Sequence, residues 1–258
     1  MSRSGTESIA RALEQLGYNR TYHGIRTMSQ SNDGFLWEEL TNAKFGPNPR
    51  TITRHDLDRI LDDCMAVTDM PCAAFWSELM DAYPEAKILL VERDVESWYR
   101  SFEEIIIKGV FSWKSQILTA ATKMGLSPRN PNGFIRSLFL DYFRARDVHD
   151  LAANARDVYR EHYDAITARA QAEGRPILRM RIEEGWEPVC QFLAKAVPEN
   201  AKDGKLPRGN EAQTLSSTIA YKQWTGIRML GFVLLQNAAV VGGLAGVALL
   251  IKRMYLRR

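Results

Sequence analysis

Residues 87–101 read KILLVERDVESWYRS, and they decide the fold. The continuous apolar run at 87–91 fits a strand buried on both faces of a parallel sheet, and residues 95–108 return to helical spacing. An arginine at the carboxyl end of such a strand, Arg93, with Ser101 eight residues further on in the next helix, can grip a phosphate at the sheet's carboxyl edge. Outward from this unit the alternation continues. Cys64-Met-Ala-Val-Thr68 is a short apolar strand ended by Asp69-Met-Pro71, and a helix over 73–82 stops at Tyr83-Pro84. Thr53 with Asp56 caps a short helix over 54–63, while residues 28–50 read as loop. A long helix over 148–172 ends at Gly174, Ile177 to Ile182 forms the last strand, and a helix runs from Glu187 to Ala196. The basic, aromatic stretch 112–146 suits a helical insertion covering a substrate. The pattern predicts an α/β fold: a parallel sheet flanked by helices in three layers.

At the other end of the chain, Arg3-Ser-Gly-Thr-Glu-Ser8 runs directly into a helix over 8–16 closed by Gly17. The first N–H groups of a helix are unpaired and carry the positive end of the macrodipole, so they bind phosphate oxygens. Gly5 lets the backbone approach an anion, Thr6 and Ser8 offer hydroxyls, and Arg3 adds a fixed positive charge. No GxxxxGK[ST] sequence precedes the helix, which disfavours ordinary ATP or GTP hydrolysis. The 258 residues carry 34 basic and 31 acidic side chains, too even a balance to imply a nucleic-acid partner. His23, His55, His149 and His162 show no metal-ligand spacing, so no metal site is expected. Cys64, Cys72 and Cys190 form no CxxC pair and fit a reduced compartment.

Together, RSGTES at 3–8 and VERDVESWYRS at 91–101 resemble the two cofactor motifs of sulfotransferases that use 3′-phosphoadenosine-5′-phosphosulfate. The stretch from TDMPCAAFW through VERDVESWYRSF, with EEGWEPVCQFL and LPRGN later, is similar to the sulfotransferase-like branch common in fungi, over most of residues 3–210. This resemblance implies that Arg3, Ser4, Gly5, Thr6, Glu7 and Ser8 hold the donor's 5′-phosphosulfate and that Arg93 and Ser101 hold its 3′-phosphate. It makes Trp98 and Trp186 part of the family signature, with buried core positions as their physical role. Cytosolic members carry Thr-His-x-Pro where this chain has Thr68-Asp69-Met70-Pro71, which puts Asp69 at the base position, with His23 as the other candidate. A carboxylate is a weak base at neutral pH and works best partly desolvated. Arg3 would neutralise charge on the transferred group. No FRKG-like motif is present, and Lys205 and Arg208 are the nearest basic candidates for the nucleotide. The family places a strand just before the loop that opens this chain, so Met1 is expected to be an internal methionine of a longer ancestral sequence.

Residues 229–251 carry no charge, and as a helix they would be about 34 Å long, enough to cross a bilayer core of about 30 Å. Arg228 precedes them, and Lys252, Arg253, Arg257 and Arg258 follow. The expected organisation is a domain over 1–215, a linker over 216–228, a transmembrane helix over 229–251 and a basic tail over 252–258. Lys and Arg counts would put the tail in the cytosol. A span so near the C-terminus with no signal peptide instead leaves the domain there. The functional expectation is sulfuryl transfer from the nucleotide donor to a small lipophilic or secondary-metabolite acceptor at a membrane. The alternatives are an inactive membrane-tethered scaffold of the same fold, or an enzyme using the fold for elimination chemistry.

Overall fold

The computed structural model describes residues 1–24, 31–127, 133–199, 201, 204–207 and 211–255, the stretch 240–255 as backbone only. In chain order the elements are α1 (Thr6–Gln15), β1 (Thr21–Tyr22), α2 (Ser31–Phe45), α3 (Arg54–Leu61), β2 (Ala66–Val67) and α4 (Trp76–Ala82). Next come β3 (Ile88–Glu92), α5 (Val95–Phe102), which passes into a π-helix over Glu103–Val110, then α6 (Trp113–Lys123) and α7 (Phe134–Tyr142). The chain closes with α8 (Val148–Ala172), β4 (Ile177–Arg181), α9 (Trp186–Leu193) and α10 (Glu211–Tyr255).

Alternation along β3 explains the layering. Successive strand residues face opposite sides. Leu90 enters a core with Trp98, Phe102, Tyr159 and Tyr163, whereas Val91 enters a second core with Ile9 and Leu13 of α1 and Trp186 and Val189 of α9. Helices therefore cover both faces of the β3–β4 pair, which runs parallel with Leu90 opposite Arg179 and Val91 opposite Met180. Trp98 and Trp186 are both buried, as their sequence context implied.

Two expectations about the fold need correction. The strands are parallel, but they form two separate pairs, β1–β2 and β3–β4, rather than one continuous sheet among the described residues. No ladder joins β2 to β3. The first residues of the chain bridge their carboxyl ends instead: the Ser2 hydroxyl donates to Asp69, the Trp98 indole N–H donates to the Ser2 carbonyl at 2.7 Å, and Arg93 donates to the Arg3 carbonyl at 3.4 Å.

The second correction concerns the C-terminus. The stretch 229–251, read as a transmembrane helix, is part of a single 45-residue helix, α10, and among the described residues no helix is long and apolar enough to cross a membrane. The apolar stretch continues a helix whose early turns carry Ser216, Ser217, Lys222, Gln223 and Arg228 and pack on the domain, so it is not a separate element. Ile219 is buried there, and the Gln223 amide donates to the Gly109 carbonyl at 2.9 Å and to the Ser112 and Ser115 hydroxyls at 3.0 and 2.8 Å. The membrane anchor, the membrane partner and the membrane location fall with that reading.

Smaller differences follow from local chemistry. Residues 31–45, expected as loop, form α2, whose buried Trp37, Leu40 and Thr41 share one face. The Trp37 indole donates to the Tyr22 hydroxyl at 2.7 Å, tying α2 to β1. The Thr53–Asp56 capping box at the start of α3 is present.

Candidate active site

The loop at residues 1–5 is shaped by backbone constraints. Gly5 has φ +101°, and a Cβ built on it would lie 2.4 Å from Cγ1 of Ile182, just past β4. It has no side chain to cap α1, so the first N–H groups of the helix are left to another acceptor. The Ser4 hydroxyl donates to the Met1 carbonyl at 2.7 Å, and the fully buried Trp98 stacks on Phe102 while its indole holds the Ser2 carbonyl. Gly5→Ala combines a strained φ with a clash against the Ile182 side chain, and is expected to lower stability by about 2–4 kcal/mol in chemical denaturation.

Two arginines and a serine meet beside this loop. Arg3 Nε donates to Ser101 Oγ at 3.1 Å, and an Arg93 guanidinium nitrogen reaches the Arg3 carbonyl. Arg93 follows the end of β3 and is fixed from α8: the Tyr159 hydroxyl accepts from the Arg93 N–H at 2.9 Å and donates to its carbonyl at 3.0 Å. One turn along α8, the Tyr163 hydroxyl donates to the Val91 carbonyl at 2.6 Å. Burial pushes both phenols above their ordinary range. Asp94 caps α5 by accepting from the Ser97 N–H at 2.9 Å, and this bond holds its carboxyl below the usual range. That cap sets the direction of α5 and so the position of Ser101.

The two candidate bases also converge. His23 follows β1 and Asp69 follows β2, and the parallel register of Tyr22 opposite Val67 brings their ends together. His23 Nε2 lies 3.7 Å from Asp69 Oδ2 and 3.3 Å from Thr6 Oγ1. Ser2 Oγ donates to the other carboxylate oxygen. Gly24 permits this approach, because a Cβ there would stand 2.5 Å from Asp69 Oδ2 and 2.6 Å from the Met70 carbonyl. Both residues are nearly inaccessible, at 8% exposure each.

Asp69 and Ser2 form the polar end of a largely apolar cavity of about 60 Å³. Its walls include Ile106 and Val110 of the π-helix and Phe134 and Leu138 of α7. His23 is not among its lining residues.

Of the site residues expected from sequence, Arg3, Ser4, Thr6, His23, Asp69, Arg93 and Ser101 gather in one place. Glu7 turns to its own helix and accepts from Arg11 at 2.9 Å, and Ser8 is half-buried on the first turn of α1. Arg208 lies outside the described residues. Sequence reading missed Ser2, Gly24 and Tyr159. The four-residue spacing of Tyr159 and Tyr163 on a long helix was the available signal for the last of these.

A helix N-terminus, two arginines and four hydroxyls gather near the carboxyl ends of parallel strands in this α/β protein, a set of groups with the chemistry of an anion site, beside an apolar chamber. The chain belongs to the sulfotransferase domain family, which matches residues 1–215. It is similar to Ava biosynthesis cluster protein M of Aspergillus versicolor, 30% identical over 250 residues that cover 95% of this chain and 90% of that protein.

Proposed function

We propose that the protein transfers a sulfuryl group from 3′-phosphoadenosine-5′-phosphosulfate to a nucleophilic oxygen or nitrogen of a small, lipophilic acceptor. One observation carries this reading: the Arg3–Arg93–Ser101 cluster and the Asp69–His23 pair flank the same loop, and Asp69 opens into an apolar cavity. The donor set suits such a nucleotide, since guanidinium forks, hydroxyls and uncapped helix N–H groups are all anion ligands. When bound, the nucleotide supplies the sulfuryl group and departs as 3′-phosphoadenosine 5′-phosphate.

The protein's own residues divide the remaining work. Loop residues 3–8 hold the phosphosulfate end, and Arg3 offsets charge that develops on the transferred group. Arg93 and Ser101 hold the 3′-phosphate. Asp69 accepts the proton of the acceptor as its heteroatom bonds to sulfur, because Asp69 faces the chamber and His23 stands behind it. His23 and Ser2 orient the carboxylate. Trp98 and the helices around it exclude water from the loop. The name of the Aspergillus relative ties that protein to a biosynthesis cluster, which supports a biosynthetic intermediate as the acceptor here.

Calorimetric titration of the full chain with 3′-phosphoadenosine 5′-phosphate tests the donor. Micromolar binding that prefers this ligand to ADP is the expected result. A folded protein that binds neither nucleotide would remove the sulfuryl-transfer reading.

A further inference from the structure

The cavity beside Asp69 has one wall that lies outside the α/β framework. Leu215 and Ile219, on the first turns of α10, line it together with Ile106 and Val110 of the π-helix. Ile219 is buried at 8% exposure, and its Cδ1 lies 3.5 Å from where a Cβ at Gly109 would stand, an ordinary van der Waals separation, so the two helices pack in direct contact. Three further contacts fix this wall in place. Gln223, one turn after Ile219, hydrogen bonds to the Gly109 carbonyl and to the Ser112 and Ser115 hydroxyls. At Gly226 a Cβ would approach Leu118 of α6 to 2.9 Å, so α10 also lies tightly on that helix. The π-helix opposite is an uncommon conformation that often marks functional sites. Here it presents Ile106 and Val110 to the cavity and the Gly109 carbonyl to Gln223.

We infer that α10 is a specificity wall, and that Leu215 and Ile219 set the size of the apolar body the chamber accepts, with the ligand's single polar, nucleophilic end at Asp69 and Ser2. The inference rests on the sulfuryl-transfer reading only in calling that ligand the acceptor. The cavity encloses only about 60 Å³ and is partly open, with its polar groups at one end, so it favours a small apolar body that carries one hydroxyl or amine inward and extends through the open side. Each buried methylene contributes about 0.8 kcal/mol, so a wall built from two aliphatic side chains discriminates by chain length.

A series of 4-alkylphenols titrated into the full chain by calorimetry reads this directly. Wild type is expected to bind 4-methylphenol in preference to 4-butylphenol. Ile219→Ala shifts the ratio toward 4-butylphenol by about tenfold, and Ile219→Phe moves it the other way. Ile117→Ala, on the exposed side of α6, leaves the ratio unchanged. Thermal melts identify which variants are folded, and Ile219→Phe keeps the test open if Ile219→Ala is not. An unchanged ratio in a folded Ile219 variant overturns the wall, even where 3′-phosphoadenosine 5′-phosphate still binds. A shifted ratio in a protein that binds no nucleotide upholds the wall and removes sulfuryl transfer.

Discussion

Arg93→Ala is expected to weaken binding of 3′-phosphoadenosine 5′-phosphate by about 100-fold or more and to abolish its preference over ADP. Arg93 is exposed in the unliganded protein, and once a bound phosphate covers it, removing one partner of such a charge-assisted contact costs about 2–5 kcal/mol, roughly thirty-fold to several thousand-fold in affinity. Arg93 should fall well inside that range because its position is fixed before any ligand arrives. Its backbone is held in both directions by the Tyr159 hydroxyl, and α5 starts at the Asp94 cap immediately after it. The alanine variant keeps those backbone bonds, so the strand end stays in place and the loss reports the guanidinium. Part of the effect passes through the loop, since Arg93 also donates to the Arg3 carbonyl. Arg93→Lys separates the two contributions: it retains charge but not the planar fork, and should recover only part of the affinity. ADP lacks the 3′-phosphate, so its weaker binding should change little. Calorimetry that finds equal losses for both nucleotides would move the 3′-phosphate away from the end of β3.

The elements that sequence alone revealed are those whose pattern is local. The run at 87–91 became β3 (Ile88–Glu92), and the long periodicity at 148–172 became α8 within the same bounds. The Thr53–Asp56 box marked α3 because both partners sit within four residues. Reading failed where the deciding contact is distant. SQSNDG looked like a breaker, yet the helix that begins there is stabilised by Trp37 reaching Tyr22 of β1 and by Lys44 meeting Glu78 of α4 at 2.7 Å. Hydropathy of 229–251 pointed to a separate membrane span, but it could not show the long helix that starts at Glu211 or the Gln223 contacts that dock its early turns. The site divides in the same way. Arg93 and Ser101 were legible because a strand end and a helix turn fix their separation. The meeting of His23 with Asp69 was not, since it depends on the register between β1 and β2 and on the missing Cβ at Gly24. Sequence left those two residues as competing bases, whereas the fold makes them neighbours with different exposures to the cavity.

That difference makes Asp69→Asn the most informative change for the chemistry. It is expected to slow sulfuryl transfer by about 10²- to 10⁴-fold, the range for loss of a positioned general base, while binding of 3′-phosphoadenosine 5′-phosphate stays within a factor of about two. Asparagine is chosen for the backbone. Asp69 has φ +67°, a region that asparagine tolerates and that alanine enters only with strain. Asparagine also keeps a carbonyl oxygen that can accept from Ser2 Oγ, so the loop connection survives. What it loses is the capacity to take the acceptor's proton. His23→Gln should cost far less, about tenfold, because His23 acts on the carboxylate and on Thr6 rather than on the cavity. Single-turnover release of 3′-phosphoadenosine 5′-phosphate, with a cavity-binding 4-alkylphenol as acceptor, gives both rates. If His23→Gln instead takes the larger loss, the imidazole is the base and Asp69 its orienting partner, and the proton leaves the acceptor toward Thr6 rather than toward β2.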